Sequence, residues 1–392
     1  MPNSSSASFT FTRKQSASNK TPRLINRNLV FNLIRTRQPL SRADLARISG
    51  LQRSTVSLIV EDLIRDKWVL EGSTGRLPRG RRPTFLELNH HRAVIALDIH
   101  PGQTTVAVTD LGGKIVAQNV VDVPTDPNKA IQPIVTAVRK LIAAHSDKSF
   151  DGIGISLPGR ADPTMQKLIF APNLSGPIHS IKSRIERATG LRVEMDNVAN
   201  ACALSEVWFG DSDGTRDLVV VNVSEGIGTG IFANGRLLRG SNGMAGEFGH
   251  VQMDTSGPLC GCGNRGCWET VASNRAGLRY YHELNGNGAK EPSNFTALVK
   301  MAQAEDPHAV KALEKMCLFL GRGLRMIASA LAPNEIIVVG DITAAWHLFG
   351  PAIETELKKN SLSRVPKLRP SFEGNTARLR SAVALVMNEG LI

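Results

Sequence analysis

The residues whose types and spacing most plainly carry chemistry are His250, Cys260, Cys262 and Cys267, which form the pattern H-x9-C-x-C-x4-C. Three thiolates and an imidazole, with no carboxylate and no spare position, make the ligand set of a closed tetrahedral structural zinc site. Gly257, Gly261, Gly263 and Gly266 alternate with the ligands and allow the tight turns that bring four side chains onto one ion. The start of the chain, MPNSSSASFTFTRK, lacks the apolar core of a secretory leader. No window reaches the roughly 18 uninterrupted apolar residues of a membrane helix, so a cytoplasmic location without membrane contact is expected. In that compartment clustered cysteines point to metal rather than to disulfides, and the separate Cys202 and Cys317 read as ordinary buried thiols.

A second chemistry shows in the charge. The 392 residues carry a formal net charge of +12, and residues 1–90 hold 16 Lys and Arg against 6 Asp and Glu. Nearly all the positive surplus therefore sits in the first quarter, the footprint of a polyanion-binding module joined to a near-neutral body.

The elements that must position these groups follow from periodicity. Residues 1–20 are rich in Ser, Asn and Lys and read as a disordered arm. Within 21–90, Leu24, Ile25, Val30, Phe31 and Ile34 recur at helical spacing, Ser41-Arg42-Ala43-Asp44 has the form of a capping box, and Val56, Val60, Leu63 and Ile64 line one face of a third helix. Two strand-like pieces, Trp68–Leu70 and Thr84–Leu88, then flank the basic loop GSTGRLPRGRRP. Three helices and a hairpin predict a winged helix-turn-helix whose third helix enters the major groove of double-stranded DNA. Gln52, Arg53, Ser54, Thr55 and Ser57 lie off its apolar face and are the expected DNA contacts. Arg76, Arg79, Arg81 and Arg82 in the wing are expected at phosphates or in the minor groove.

From Ala93 onward strands alternate with helices in two successive sets, which predicts an α/β body of two similar lobes with a cleft between. The expected seam is DSDGTRD at 211–217, giving lobes of 91–214 and 215–392, with the last helix free to return to the first lobe. A long helical region is expected over about 295–331.

The run from Asn234 to Ser273, with GIGISLPGRAD at 152–162, APNL at 171–174, DNVANACALSE at 196–206 and GIGTGI at 226–231, closely resembles the signature of the ROK family of repressors, open reading frames and sugar kinases. With a DNA-binding module in front, the chain resembles the repressor branch, that of the xylose, glucose and N-acetylglucosamine regulators. The resemblance implies an actin-like, sugar-kinase-like body and a sugar held by Asn173, Asn197, Glu247, His250 and Glu269. Carboxylates and amides give the paired hydrogen bonds that sugar hydroxyls require, and His250 could serve zinc through one ring nitrogen and a hydroxyl through the other.

Two positions depart from the family pattern. Family kinases place an Asp, the base that takes the proton from the attacking hydroxyl, where this chain has Val198. Their D-x-G-x-T phosphate loop here reads Asp98-Ile99-His100-Pro101-Gly102-Gln103-Thr104, in which Pro101 removes a backbone donor. The expectation is a homodimeric or homotetrameric, sugar- or sugar-phosphate-responsive DNA-binding repressor without kinase activity. The rival readings are an active sugar kinase with an accessory DNA-binding domain and a ligand-independent DNA-binding protein.

Overall fold

Helix α1 (Lys20–Arg37) turns Val30, Phe31 and Ile34 into an apolar core, and Phe31 meets Trp68 edge to face with ring centroids 5.7 Å apart. In this computed structural model the described residues are 20–75, 82–100, 102–124, 127–162, 167–170, 180–210, 217–286, 291–359, 364–371 and 376–391. The short strand β1 (Leu40–Ser41) leads into α2 (Arg42–Ser49), and the capping box is formed, with Ser41 Oγ accepting from the Asp44 N–H and the Asp44 carboxylate accepting from the Ser41 N–H. Gly50 closes α2 at φ 70°, a left-handed backbone that favours glycine, and α3 (Arg53–Arg65) follows at once. Val56, Ile59, Val60 and Leu63 of α3 are buried, while Arg23 and Arg27 of α1 reach its C-terminal half through ion pairs to Asp62 (2.5 Å) and Asp66 (2.8 Å). Strands β2 (Val69–Thr74) and β3 (Thr84–Leu88) pair antiparallel, and β1 adds to the free side of β3, so the hairpin becomes a three-stranded sheet. The chain divides after Leu88 into a first compact unit and a second, Asn89–Gly390.

The second unit is built twice on one plan. Strands β4 (Arg92–His100), β5 (Gln103–Asp110) and β6 (Ile115–Asp122) run antiparallel in series. Helix α4 (Pro127–Ala144) then returns the chain to β7 (Ser149–Leu157), parallel to β4. After the small hairpin β8 (Arg160–Asp162) and β9 (Lys167–Phe170) and helix α5 (Ile181–Thr189), β10 (Val193–Asn197) joins β7 in parallel, and α6 (Val198–Phe209) follows directly. Strands β11 (Leu218–Val223), β12 (Ile227–Ala233) and β13 (Arg236–Leu237) repeat the antiparallel series. The crossover now comprises four helices, α7 (Trp268–Ala272), α8 (Asn274–Asn285), α9 (Phe295–Gln303) and α10 (Pro307–Leu331). Strand β14 (Glu335–Val339), helix α11 (Trp346–Lys358) and strand β15 (Lys367–Pro370) complete the second sheet, both strands parallel.

The two sheets thus read β10-β7-β4-β5-β6 and β15-β14-β11-β12-β13, the same order and the same directions. Their central strands are buried on both faces, which explains near-continuous apolar runs such as VIALDI and EIIVV. The helical stretch expected as one segment is two, because Asp306 accepts from the His308 and Ala309 amides (3.0 and 2.8 Å) and Pro307 opens the new helix α10. The last helix, α12 (Ala377–Leu391), lies against the first sheet, and Gly154 on β7 leaves the room its Ala382 carbonyl occupies.

Candidate functional site

The Cys/His loop grows from β12. A tight 3-10 turn, Glu247–His250, packs on that strand because Gly246, at φ 91°, and Gly249 let backbone approach the Thr229 and Ile227 carbonyls. The following loop is held by its own backbone: Met253 and Asp254 amides donate to Gly266 O (2.7 and 3.1 Å), Cys260 N to Asn264 O (2.7 Å), and Gly266 N to Pro258 O (2.8 Å). Cys267 then caps α7, whose Trp268 is fully buried and donates through Nε1 to Phe319 O at 3.0 Å. That anchor fixes where the next residue, Glu269, points.

His250, Cys260, Cys262 and Cys267 offer ligand atoms that all lie within 4.8 Å of one another. Cys262 and Cys267 sulfurs are 3.6 Å apart, and Cys260 Sγ stands 3.5 Å from His250 Nδ1. A tetrahedron with 2.3 Å metal–sulfur arms has edges of about 3.8 Å, so the donor set matches a zinc-sized centre in chemistry and in spacing. Burial pushes the Cys260 and Cys267 thiols up, whereas a backbone hydrogen bond from Asn264 pulls the exposed Cys262 down. A bound dication would displace all three protons.

Three of the residues named for sugar contact gather beside this centre. His250 directs Nδ1 toward Cys260 and Glu269 Oε1 (3.6 Å), and its Nε2 faces Glu247 Oε2 at 3.8 Å. Glu269 Oε1 lies 3.0 Å from Cys260 Sγ. Asn197 also comes near the glycine segment: a side chain at Gly228 would lie 3.9 Å from Asn197 Oδ1, and one at Gly226 would meet Glu269 Oε2 at 2.6 Å. Ala199 at the start of α6 is what keeps the GIGTGI segment bare, since a side chain at Gly228 would lie 3.2 Å from its Cβ and one at Gly230 2.1 Å from its carbonyl oxygen. Asn197 also caps α6, accepting from the Ala199 amide at 2.8 Å and donating to the Gly159 carbonyl. Asn173 lies outside the described residues.

Val198 is the first residue of α6 and is buried. The carboxylate nearest it in the chain, Asp196, is committed elsewhere: Arg239 pairs with it, and it accepts from the Asn197 amide (2.7 Å) and from Asn200 Nδ2 (3.3 Å). Sequence reasoning passed over this pair, whose partners lie 43 positions apart. Asp98, at the end of β4, is equally committed. Arg378 of α12 donates to both its oxygens (3.0, 3.1 and 2.9 Å), and His100 Nε2 is 2.9 Å away. Burial alone would raise the Asp98 pKa, but Arg378 and His100 hold it below the usual carboxylate range. Pro101 lies outside the described residues. Cys202 and Cys317 are buried, and desolvation pushes the Cys202 thiol up to about 12 and Cys317 higher still.

In the first unit, α3 leaves one face uncovered. Gln52, Arg53 and Ser54 are exposed, Thr55 and Ser57 are half-buried, and Arg82 is exposed at the entry to β3. The wing arginines Arg76, Arg79 and Arg81 lie outside the described residues. The same face carries an apolar side chain not anticipated from sequence, Leu58, 63% exposed.

Comparison with known proteins gives one consistent result. A model of the ROK family matches residues 94–389. The xylose repressor of Bacillus spizizenii is 31% identical over 374 residues, covering 94% of this chain and 95% of that protein. A crystal structure of a ROK-family transcriptional regulator, a homologue of the Escherichia coli MLC protein, superposes with a TM-score of 0.76 at 27% identity, over 94% of this chain and 98% of the other. A ROK-family glucokinase from Streptomyces griseus, solved with glucose and AMPPNP, gives 0.67 at 28% identity, over 76% of this chain and 99% of its own.

Proposed function

The chain belongs to the ROK family, and on that premise we propose that it is a DNA-binding repressor of carbohydrate uptake or breakdown genes, relieved by a monosaccharide or sugar phosphate. Residues 21–90 are the winged helix-turn-helix, with α3 as the reading helix and β2–β3 as the wing, and 91–214 and 215–392 are the two lobes, α12 returning to the first. Two copies in a cytoplasmic homo-oligomer present their α3 helices to successive major grooves of a palindromic operator.

The observation that carries this reading is the first unit itself: three helices and a hairpin, basic overall, with an uncovered hydrogen-bonding face on α3, in a chain alignable almost end to end with a repressor. The glucokinase relative means that the fold alone does not exclude phosphoryl transfer. Val198 speaks against it, because an isopropyl group accepts no proton, and Asp98 is already engaged by Arg378.

Zinc bound by His250, Cys260, Cys262 and Cys267 would supply a rigid cross-link between the Glu247–His250 turn and α7. The protein's own residues do the rest: Glu247, Glu269, His250 Nε2, Asn197 and Asn173 bind the sugar hydroxyls. Sugar bound by these residues biases the relative position of the lobes and so the spacing of the two reading helices.

The full-length chain should retain genomic DNA fragments at moderate salt, and one member of a monosaccharide and sugar-phosphate panel should release them and raise the melting temperature. A coupled ADP-release assay with the same panel should stay at background for the wild type and rise only in Val198→Asp. Retention of no fragment, or turnover by the unaltered chain, overturns the reading.

A further inference from the structure

Helix α3 sorts its apolar residues into two groups. Val56, Ile59, Val60 and Leu63 are 5% exposed or less and face the core of the first unit, whereas Leu58 stands 63% exposed. It lies one turn beyond Ser54 and next to Ser57, in the second turn of the helix, on the face that also displays Arg53. An isolated surface leucine is ordinary on a solvated helix. This one stands among the hydroxyl, amide and guanidinium groups of Gln52, Arg53, Ser54 and Ser57, with the exposed Glu61 carboxylate one turn further on, at the depth along the helix that reaches base edges when the first two turns enter a major groove.

In that groove the four base pairs display donors, acceptors and one apolar group, the C5-methyl of thymine. A serine hydroxyl pairs with donors or acceptors and an arginine guanidinium with acceptors, and neither packs on a methyl. Apart from the methyl of half-buried Thr55, Leu58 is the apolar group these two turns present. We infer that Leu58 is a specificity-determining residue that packs its side chain on a thymine methyl in each operator half-site, so that the preferred site contains a T·A pair that uracil cannot replace. The inference rests on the DNA-binding reading above and adds to it the base that α3 selects through apolar contact.

The test uses the full-length chain and a duplex selected by it from a random 30-bp pool. Leu58→Ala should bind the selected duplex about fivefold to tenfold more weakly, the size of one lost base contact, and bind a random-sequence duplex as the wild type does. Replacing the critical thymine of each half-site by deoxyuridine should weaken the wild type by a similar factor and leave Leu58→Ala unaffected, since both changes remove the same contact. Leu58→Met, which keeps an apolar tip, should restore most of the discrimination. Equal binding by Leu58→Ala, losses that multiply rather than coincide, or a change of oligomeric state in Leu58→Ala on sedimentation each overturn the inference while the DNA-binding reading stands. A wild-type chain that selects no duplex at all overturns both.

Discussion

The Cys/His loop and the end of β4 are two places where a sugar-kinase-like body can meet a charged ligand, and this chain treats them in opposite ways. At the loop, four donors converge with no protein cation among them; neighbouring Glu269 turns a carboxylate oxygen to the same centre, and Glu247 faces the outer ring nitrogen of His250. At β4, Asp98 is met by a cation from the chain's own last helix, Arg378, with both side chains at or below 10% exposed. A group left for an outside partner needs donors without an internal counter-ion; a group made structural gets one. The repeated sheet plan is common to both places, so the difference comes from side chains and not from topology.

Removing the metal is the strongest way to probe the first place. A chelator, or Cys267→Ser, should free the 251–267 loop from the Glu247–His250 turn and lower the melting temperature by about 10 °C or more, with zinc restoring the wild type but not the variant. A wild type indifferent to chelation, with no zinc found by elemental analysis, would erase the contrast.

Breaking the second place should cost somewhat less. Arg378→Met strands a buried carboxylate, with an expected loss of about 3–5 kcal/mol in denaturant unfolding at neutral pH. The pH dependence should reverse with it. In the wild type Asp98 is held low, so its contribution is present above the range where an unfolded Asp titrates and is lost as pH falls through the folded value. Without Arg378, burial raises the carboxyl, and stability should improve on acidification as Asp98 is protonated. Asp98→Asn combined with Arg378→Met should recover much of the loss; if the double variant is no better than the single one, the pairing account fails.

Asp196 and Arg239 form an intermediate case, a buried carboxylate whose arginine is 32% exposed. Arg239→Met should cost about 1 kcal/mol, because water screens and partly replaces the lost partner. A loss as large as that of Arg378→Met would place this pair with the fully internal one.

The metal ligands were legible because the pattern is local: backbone turns over a span of 18 residues bring the four donors together, and glycines mark where the chain must fold back. The capping box at Ser41 and the apolar face of α3 were legible for the same reason, since hydrogen bonds and contacts three or four residues apart are written in the spacing. Asn197, Glu247 and Glu269 were recognised by resemblance, while the approach of the Glu247 turn to β12 depends on Gly246 and Gly249 and the room for Glu269 on Gly226, roles that no spacing reveals.

By itself the sequence determined which groups are present: the zinc-type donor set, the valine where a base would stand, the basic first quarter and the order of helices and strands. Tertiary structure alone decided which of those groups are already engaged. The Asp98–Arg378 bond spans 280 positions and Arg369 joins Glu206 across 163, and β1 turns the predicted hairpin into a three-stranded sheet. Periodicity reports which face of an element is apolar, but the partner that meets a buried charge is fixed only when distant segments pack, because the electrostatic term depends on distance in space and not along the chain.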